Sequence, residues 1–170
     1  MFSTLEGNVF MATYRKEGNA ANGTINITFK VPTMANNGKT VHMYVIGSVS
    51  GADFAGGDLA VIENPTITVG SGTEKAIQNL NREASRANYG AVVTDEDGVA
   101  NAVSTDAAIA DGTVIYGEDT GQGNTAGMAL INLGCPIILT RNQDYSVRMT
   151  SDTADTTLSL TIIFQEIALT

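Results

Sequence analysis

The stretch that decides the fold is Thr24-Ile25-Asn26-Ile27-Thr28-Phe29-Lys30-Val31. Its apolar residues stand at 25, 27, 29 and 31 and its polar ones at 24, 26, 28 and 30. A period of two turns one face of a strand to a core and the other to water. Pro32 cannot donate to a ladder and ends the strand. Asn36-Asn37-Gly38 then supplies a turn that tolerates positive φ. The same alternation recurs near the other end, where Leu158, Leu160, Ile162 and Phe164 are separated by Ser159, Thr161 and Ile163.

Working outward, residues 40–46 are apolar on both faces, which predicts a central strand. Further strands are expected over 59–62, 66–69, 113–116, 137–140, 145–149 and 158–167, all rich in β-branched residues. Gly, Asn and Asp punctuate them at short intervals. Many short strands with such turns predict an all-β sandwich or barrel. Residues 73–87 contain good helix formers, with Ile77, Leu80 and Ala84 on one helical face, so either a short helix or an extended loop is expected there. Residues 94–112 show little pattern and read as a long excursion, and 117–127 as a mobile loop.

Residues 1–20 form a separate N-terminal unit in this reading, with residues 21–170 as one sandwich domain. Phe2, Leu5, Phe10 and Tyr14 have no clean period, and Arg15 and Lys16 follow them. Either the segment frays, or it is an arm that orders against a partner, because such apolar residues are costly to leave in water. Phe2, Leu5, Phe10, Tyr14, Arg15 and Lys16 are the expected partner-binding residues.

Eighteen acidic against nine basic residues give a net charge of −9, which repels nucleic-acid backbones and anionic lipid. Neither nucleic acid nor membrane is therefore an expected partner, and no apolar run approaches the length of a membrane helix. Met1-Phe2-Ser3-Thr4-Leu5-Glu6 lacks the basic and apolar regions of a signal peptide. With one cysteine, Cys135, an intrachain disulfide is impossible, which fits maturation in a reducing cytoplasm. Cys135 itself reads as a small buried apolar residue.

Chemistry is sparse. His42 is the lone histidine and reads as a strand residue. Ser48-Val49-Ser50-Gly51 is not a nucleophile elbow. One His and one Cys are too few for zinc. Asp95-Glu96-Asp97-Gly98 lacks the EF-hand spacing and reads as a solvated acidic turn, while calcium, which needs oxygens alone, stays open. Gly121-Gln122-Gly123-Asn124-Thr125-Ala126-Gly127 misses the dinucleotide spacing by one residue. Paired carboxylates for glycoside cleavage are offered by any acidic sandwich, but aromatic platforms for sugar are few. The expectation is a protein that is not an enzyme and uses no cofactor or metal.

Several short motifs bear a resemblance. Glu63-Asn64-Pro65-Thr66, Ser71-Gly72-Thr73 and Asn79-Leu80-Asn81-Arg82-Glu83 come in that order. A Leu-x-x-Asn-x-x-Tyr-x-x-Arg-x-Thr strand follows over 139–150, and Phe164-Gln165-Glu166 closes the series. Over residues 40–167 the chain resembles small decoration, or cement, proteins of tailed-phage capsids. Residues 94–112 and the N-terminal segment have no counterpart, and 79–86 is poorer in Asn and Arg than the family stretch. The resemblance implies a jelly-roll-like antiparallel β-sandwich on the capsid exterior, made in the host cytoplasm. It also implies binding to the major capsid protein and to itself, as a trimer or dimer. The alternative is a glycan- or receptor-binding jelly-roll module of a head fibre or tail, with its site on loops 51–57, 94–112 and 117–127.

Overall fold

A computed structural model describes residues 9–32, 39–54, 56–80, 93–119 and 126–168. Every regular element among them is a β-strand. In chain order these are β1 (Val9–Asn19), β2 (Thr24–Val31), β3 (Lys39–Phe54), β4 (Gly57–Glu63), β5 (Thr66–Ile67), β6 (Thr73–Ala76) and β7 (Gln78–Asn79). They continue as β8 (Ala102–Thr105), β9 (Ile109–Ala110), β10 (Thr113–Asp119), β11 (Ala126–Asn132), β12 (Ile137–Leu139), β13 (Gln143–Ser151) and β14 (Thr156–Ala168).

The strands form two six-stranded antiparallel sheets and a small two-stranded one, β5-β9. The front sheet runs β11-β3-β14-β1-β7, with β12 also on β3, and the back sheet runs β10-β4-β13-β2-β8-β6. The pairing is nested: β1 with β14, β2 with β13, β3 with β11, and β4 with β10. An antiparallel ribbon with these four rungs, rolled into two sheets, is a jelly-roll β-sandwich.

Period-two patterning builds the core. Ile25, Ile27, Phe29 and Val31 of the back sheet face Leu158, Leu160, Ile162 and Phe164 of the front sheet, and all eight are buried. The Phe29 ring stacks on Tyr145 at 5.7 Å between centroids and meets Phe164 edge-on at 4.9 Å. Tyr145 is buried but satisfied: its hydroxyl donates to Glu63 Oε1 at 2.8 Å and accepts from the Thr140 amide at 2.8 Å. The strand expected over 40–46 is indeed central, because β3 lies between β14 and the β11/β12 edge.

Four expectations are corrected. First, residues 9–19 are not part of an arm. They form β1, paired with β14 over most of its length, and Phe10 and Ala12 lie in the core. The missed signal is a strand whose inner face is mixed, with Tyr14 and Lys16 following Phe10 and Ala12 along it; residues 1–8, including Phe2 and Leu5, fall outside the described residues. Second, residues 73–79 are strand rather than helix, as β6 and β7 cross from the back-sheet edge to the front-sheet edge and Ile77 packs against the core. Tertiary closure overrides helix propensity there, and residues 81–87 lie outside the described residues.

Third, residues 94–112 are not a patternless excursion. They supply β8, which is buried at all four positions, and β9, which pairs with β5. Their flanks cover the outer face of the back sheet, where Ile62, Ser146, Thr28 and Ser104 stand in one cross-strand row and are all buried. Gly112 abuts Ile62 and Pro65, Gly72 abuts Ser104 and Ala107, and Asn26 Nδ2 donates to the Ala107 carbonyl at 2.9 Å. The outer face of β2, expected in water, is therefore sealed by this cap. Fourth, the ends of the expected loop 117–127 belong to β10 and β11, and residues 120–125 fall outside the described residues.

Candidate functional site

The expected partner-binding residues lead to the edge where β1, β6 and β7 meet. Side chains on β1 alternate, so Met11, Thr13 and Arg15 point outward while Phe10, Ala12, Tyr14 and Lys16 lie on the inner side. Phe10 is 3% exposed, so it is a core residue and cannot contact a partner. Tyr14 and Lys16 reach from the front sheet to Asp106, in the connection after back-sheet strand β8. The Tyr14 hydroxyl donates to Asp106 Oδ2 at 2.7 Å, and Lys16 Nζ lies 2.8 Å from the same oxygen. Asp106 holds a positive φ of 54°, which Asp tolerates better than most residues. The trio ties one sheet to the other at this edge.

Among the described members of the expected set, Arg15 and Lys16 are exposed, and Arg15 pairs with Glu17 at 2.8 Å. Beside it lies a groove of about 460 Å³, lined by Met11, Thr13, Arg15, Lys75, Ala76 and Gln78. Lys75 Nζ also stands 5.7 Å from the centroid of the Tyr14 ring, within cation–π range. The groove thus combines an apolar floor with two cationic rim groups, in a chain whose net charge is −9. Such a surface suits an extended partner segment that pairs an apolar side chain with carboxylates. Lys75 and Gln78 were hidden in a window of helix formers, and Asp106 in a stretch with no period. No local pattern marks residues that meet only when the sandwich edge closes.

Other expected sites resolve plainly. His42 is on β3, opposite Ile138 on one side and Gln165 on the other. Cys135 is exposed in the turn between β11 and β12, which corrects its reading as a buried residue. The acidic turn is not simply solvated: Asp95 is 2% exposed, and its Oδ1 accepts the amides of Asp97 and Val99 at 3.0 and 2.8 Å. That carboxylate closes an Asx turn. Among the described residues no group of three or more His, Cys, Asp or Glu side chains is placed to hold a metal ion.

Tyrosines record how tightly this framework is held. Burial, then the hydrogen bond to Asp106 and its charge, push the Tyr14 hydroxyl up to about 12. The hydrogen bond to Glu118, then burial, push Tyr116 up to about 12, and burial raises Tyr145. A hydroxyl whose pKa is higher folded than unfolded adds stability below its unfolded pKa and loses it as pH climbs through the folded value. Stability is therefore expected to hold up to roughly pH 10 and to fall between about pH 10 and 12. Urea midpoints across that range check this, and Tyr14→Phe should flatten the fall.

The sequence matches no protein-family model and no curated protein.

Proposed function

We propose that this chain is a structural subunit of a tailed-phage virion, a decoration protein that binds the capsid exterior and braces neighbouring capsid subunits. The observation that carries the reading is the jelly-roll sandwich itself, the fold that the resemblance over residues 40–167 implies, completed by β1 and β2 outside that span. A fold alone does not fix function. The groove on β1, β6 and β7 supports this reading, because Arg15 and Lys75 give it a cationic rim on an acidic protein, a physical means of docking. In this reading the chain is not an enzyme, needs no cofactor, and is made in the host cytoplasm before it joins the head. Its partners are the major capsid protein and further copies of itself. A rigid sandwich suits a mechanical role, since weak contacts repeated over many capsid addresses add through effective concentration.

The test mixes purified protein with undecorated heads of the phage that encodes it and counts bound copies by electron cryomicroscopy. Symmetry-ordered occupancy is expected. Reversing the rim charges with Arg15→Glu and Lys75→Glu should weaken binding roughly tenfold, about 1.4 kcal/mol, and abolish most of its salt dependence. Absence from heads, together with reproducible binding to a glycan array, would replace this reading with a receptor-binding module.

A further inference from the structure

The two outer faces of the sandwich are unlike. On the back sheet the outward row Ile62, Ser146, Thr28 and Ser104 is sealed by the chain's own cap. On the front sheet the central outward positions are partly exposed and carry larger apolar side chains. Register sets Met11, Ile163 and Tyr44 side by side across β1, β14 and β3. Ile46 lies one step along β3, Ile138 stands beside His42, and Leu130 stands beside Ser48. Leu130 is 58% exposed and Ile138 62%.

Charge is missing from the two central strands of this face, while Arg15, paired with Glu17, stands outward at its β1 edge. The outward residues of β3 from 40 to 50 are Thr, His, Tyr, Ile, Ser and Ser. Those of β14 from 157 to 167 are Thr, Ser, Thr, Ile, Gln and Ile. Not one is Asp, Glu, Lys or Arg, although the chain has eighteen acids and nine bases.

We propose that this face is a self-association surface, on which two copies of the chain pack sheet against sheet about a two-fold axis. Three arguments select a second copy as the occupant. Copies that each carry −9 repel, so they meet at least cost across β3 and β14, whose outward positions from 40 to 50 and from 157 to 167 carry no charge. An apolar centre flanked by hydroxyls is self-complementary, as a two-fold contact requires, because each patch must match itself. The size also fits. Four strands about 4.8 Å apart and about 33 Å long present roughly 600 Å². A pair then buries about 1,200 Å², the lower edge of specific interfaces and above most lattice-type contacts. This inference deepens the self-binding part of the proposed function, and the face borders the groove at Met11 and Thr13, so dimer formation and capsid occupancy are measured separately.

Sedimentation equilibrium of the full chain tests it. A monomer–dimer equilibrium is expected in the micromolar range, tightening as salt screens the net charge. Ile163→Lys should weaken it at least tenfold, because the two-fold buries two new ammonium groups per dimer. Thr161→Lys, at an outward polar position that the core does not need, should do the same while circular dichroism stays unchanged. That second variant separates loss of the interface from loss of the fold. A monomer at every concentration, a smallest assembly of three or more, or a dimer indifferent to both lysines would overturn the proposal. So would a monomeric wild type whose lysine variants lose capsid occupancy, since the face would then belong to the capsid.

Discussion

Replacing Phe29 by alanine is expected to lower the unfolding free energy by about 3–5 kcal/mol, the range for emptying a phenylalanine site in a packed core. Phe29 has no exposed surface, and its ring touches one aromatic in each sheet, Tyr145 of β13 and Phe164 of β14. Each aromatic pair adds about 0.5–1.5 kcal/mol beyond area burial, which places this residue toward the upper end. Domains of this size are stable by roughly 5–15 kcal/mol, so the loss is about a fifth of the total or more. The Tm should fall by roughly 6–20 °C. Because Phe164 sits across the sandwich, the alanine also uncouples the two sheets, and tyrosine near-ultraviolet dichroism should weaken before the far-ultraviolet strand signal. Phe29→Leu keeps most of the volume and should cost under about 2 kcal/mol. A loss below about 1 kcal/mol for the alanine would show that the ring does not join the sheets.

The residues that make this prediction possible are also those the sequence displays most openly. Alternation at 25–31 and 158–164 identifies both inner faces, and every apolar position it assigns inward is buried. It works there because these strands pack core on one side, so burial and period agree. It fails where a strand has an unusual second face. In β2, Asn26 and Thr28 look like solvent-facing residues, yet both are buried beneath the cap that β5 and β9 build. In β1, Tyr14 and Lys16 occupy inward positions but reach out to Asp106 at the sandwich edge, so the inner face does not look apolar. The groove is less legible still. Arg15 and Lys75 are sixty residues apart in the chain, and only the crossing of β6 into β7 brings them to one edge. Side-chain pattern encodes which way a residue points from its own strand; it does not encode which distant segment arrives beside it.

The cap makes the second large prediction. Gly112→Ala is expected to cost about 2–4 kcal/mol, from two sources that can be separated. Gly112 has a φ of +93°, where a side chain is strained. Its added Cβ would also sit 2.6 Å from Ile62 Cγ2 and 3.0 Å from Pro65 Cα, so the cap must lift or Ile62 must move. Gly98, with a φ of +83° and nothing within 4 Å of its Cβ position, carries the backbone strain without the collision. Gly98→Ala should therefore cost only about 1 kcal/mol. The difference between the two variants measures how firmly residues 65–72 and 106–112 press on the back sheet. Hydrogen exchange locates it. In Gly112→Ala the amides of Thr68, bonded to Ala108, and Asp106, bonded to Asn26, should lose protection while those of β14 keep theirs. The row Ile62, Ser146, Thr28 and Ser104 would then open to water on one side of an otherwise intact sandwich. Equal costs for the two glycine variants would mean that the cap rests on the sheet without packing against Ile62, and that the back face is sealed by its backbone hydrogen bonds alone.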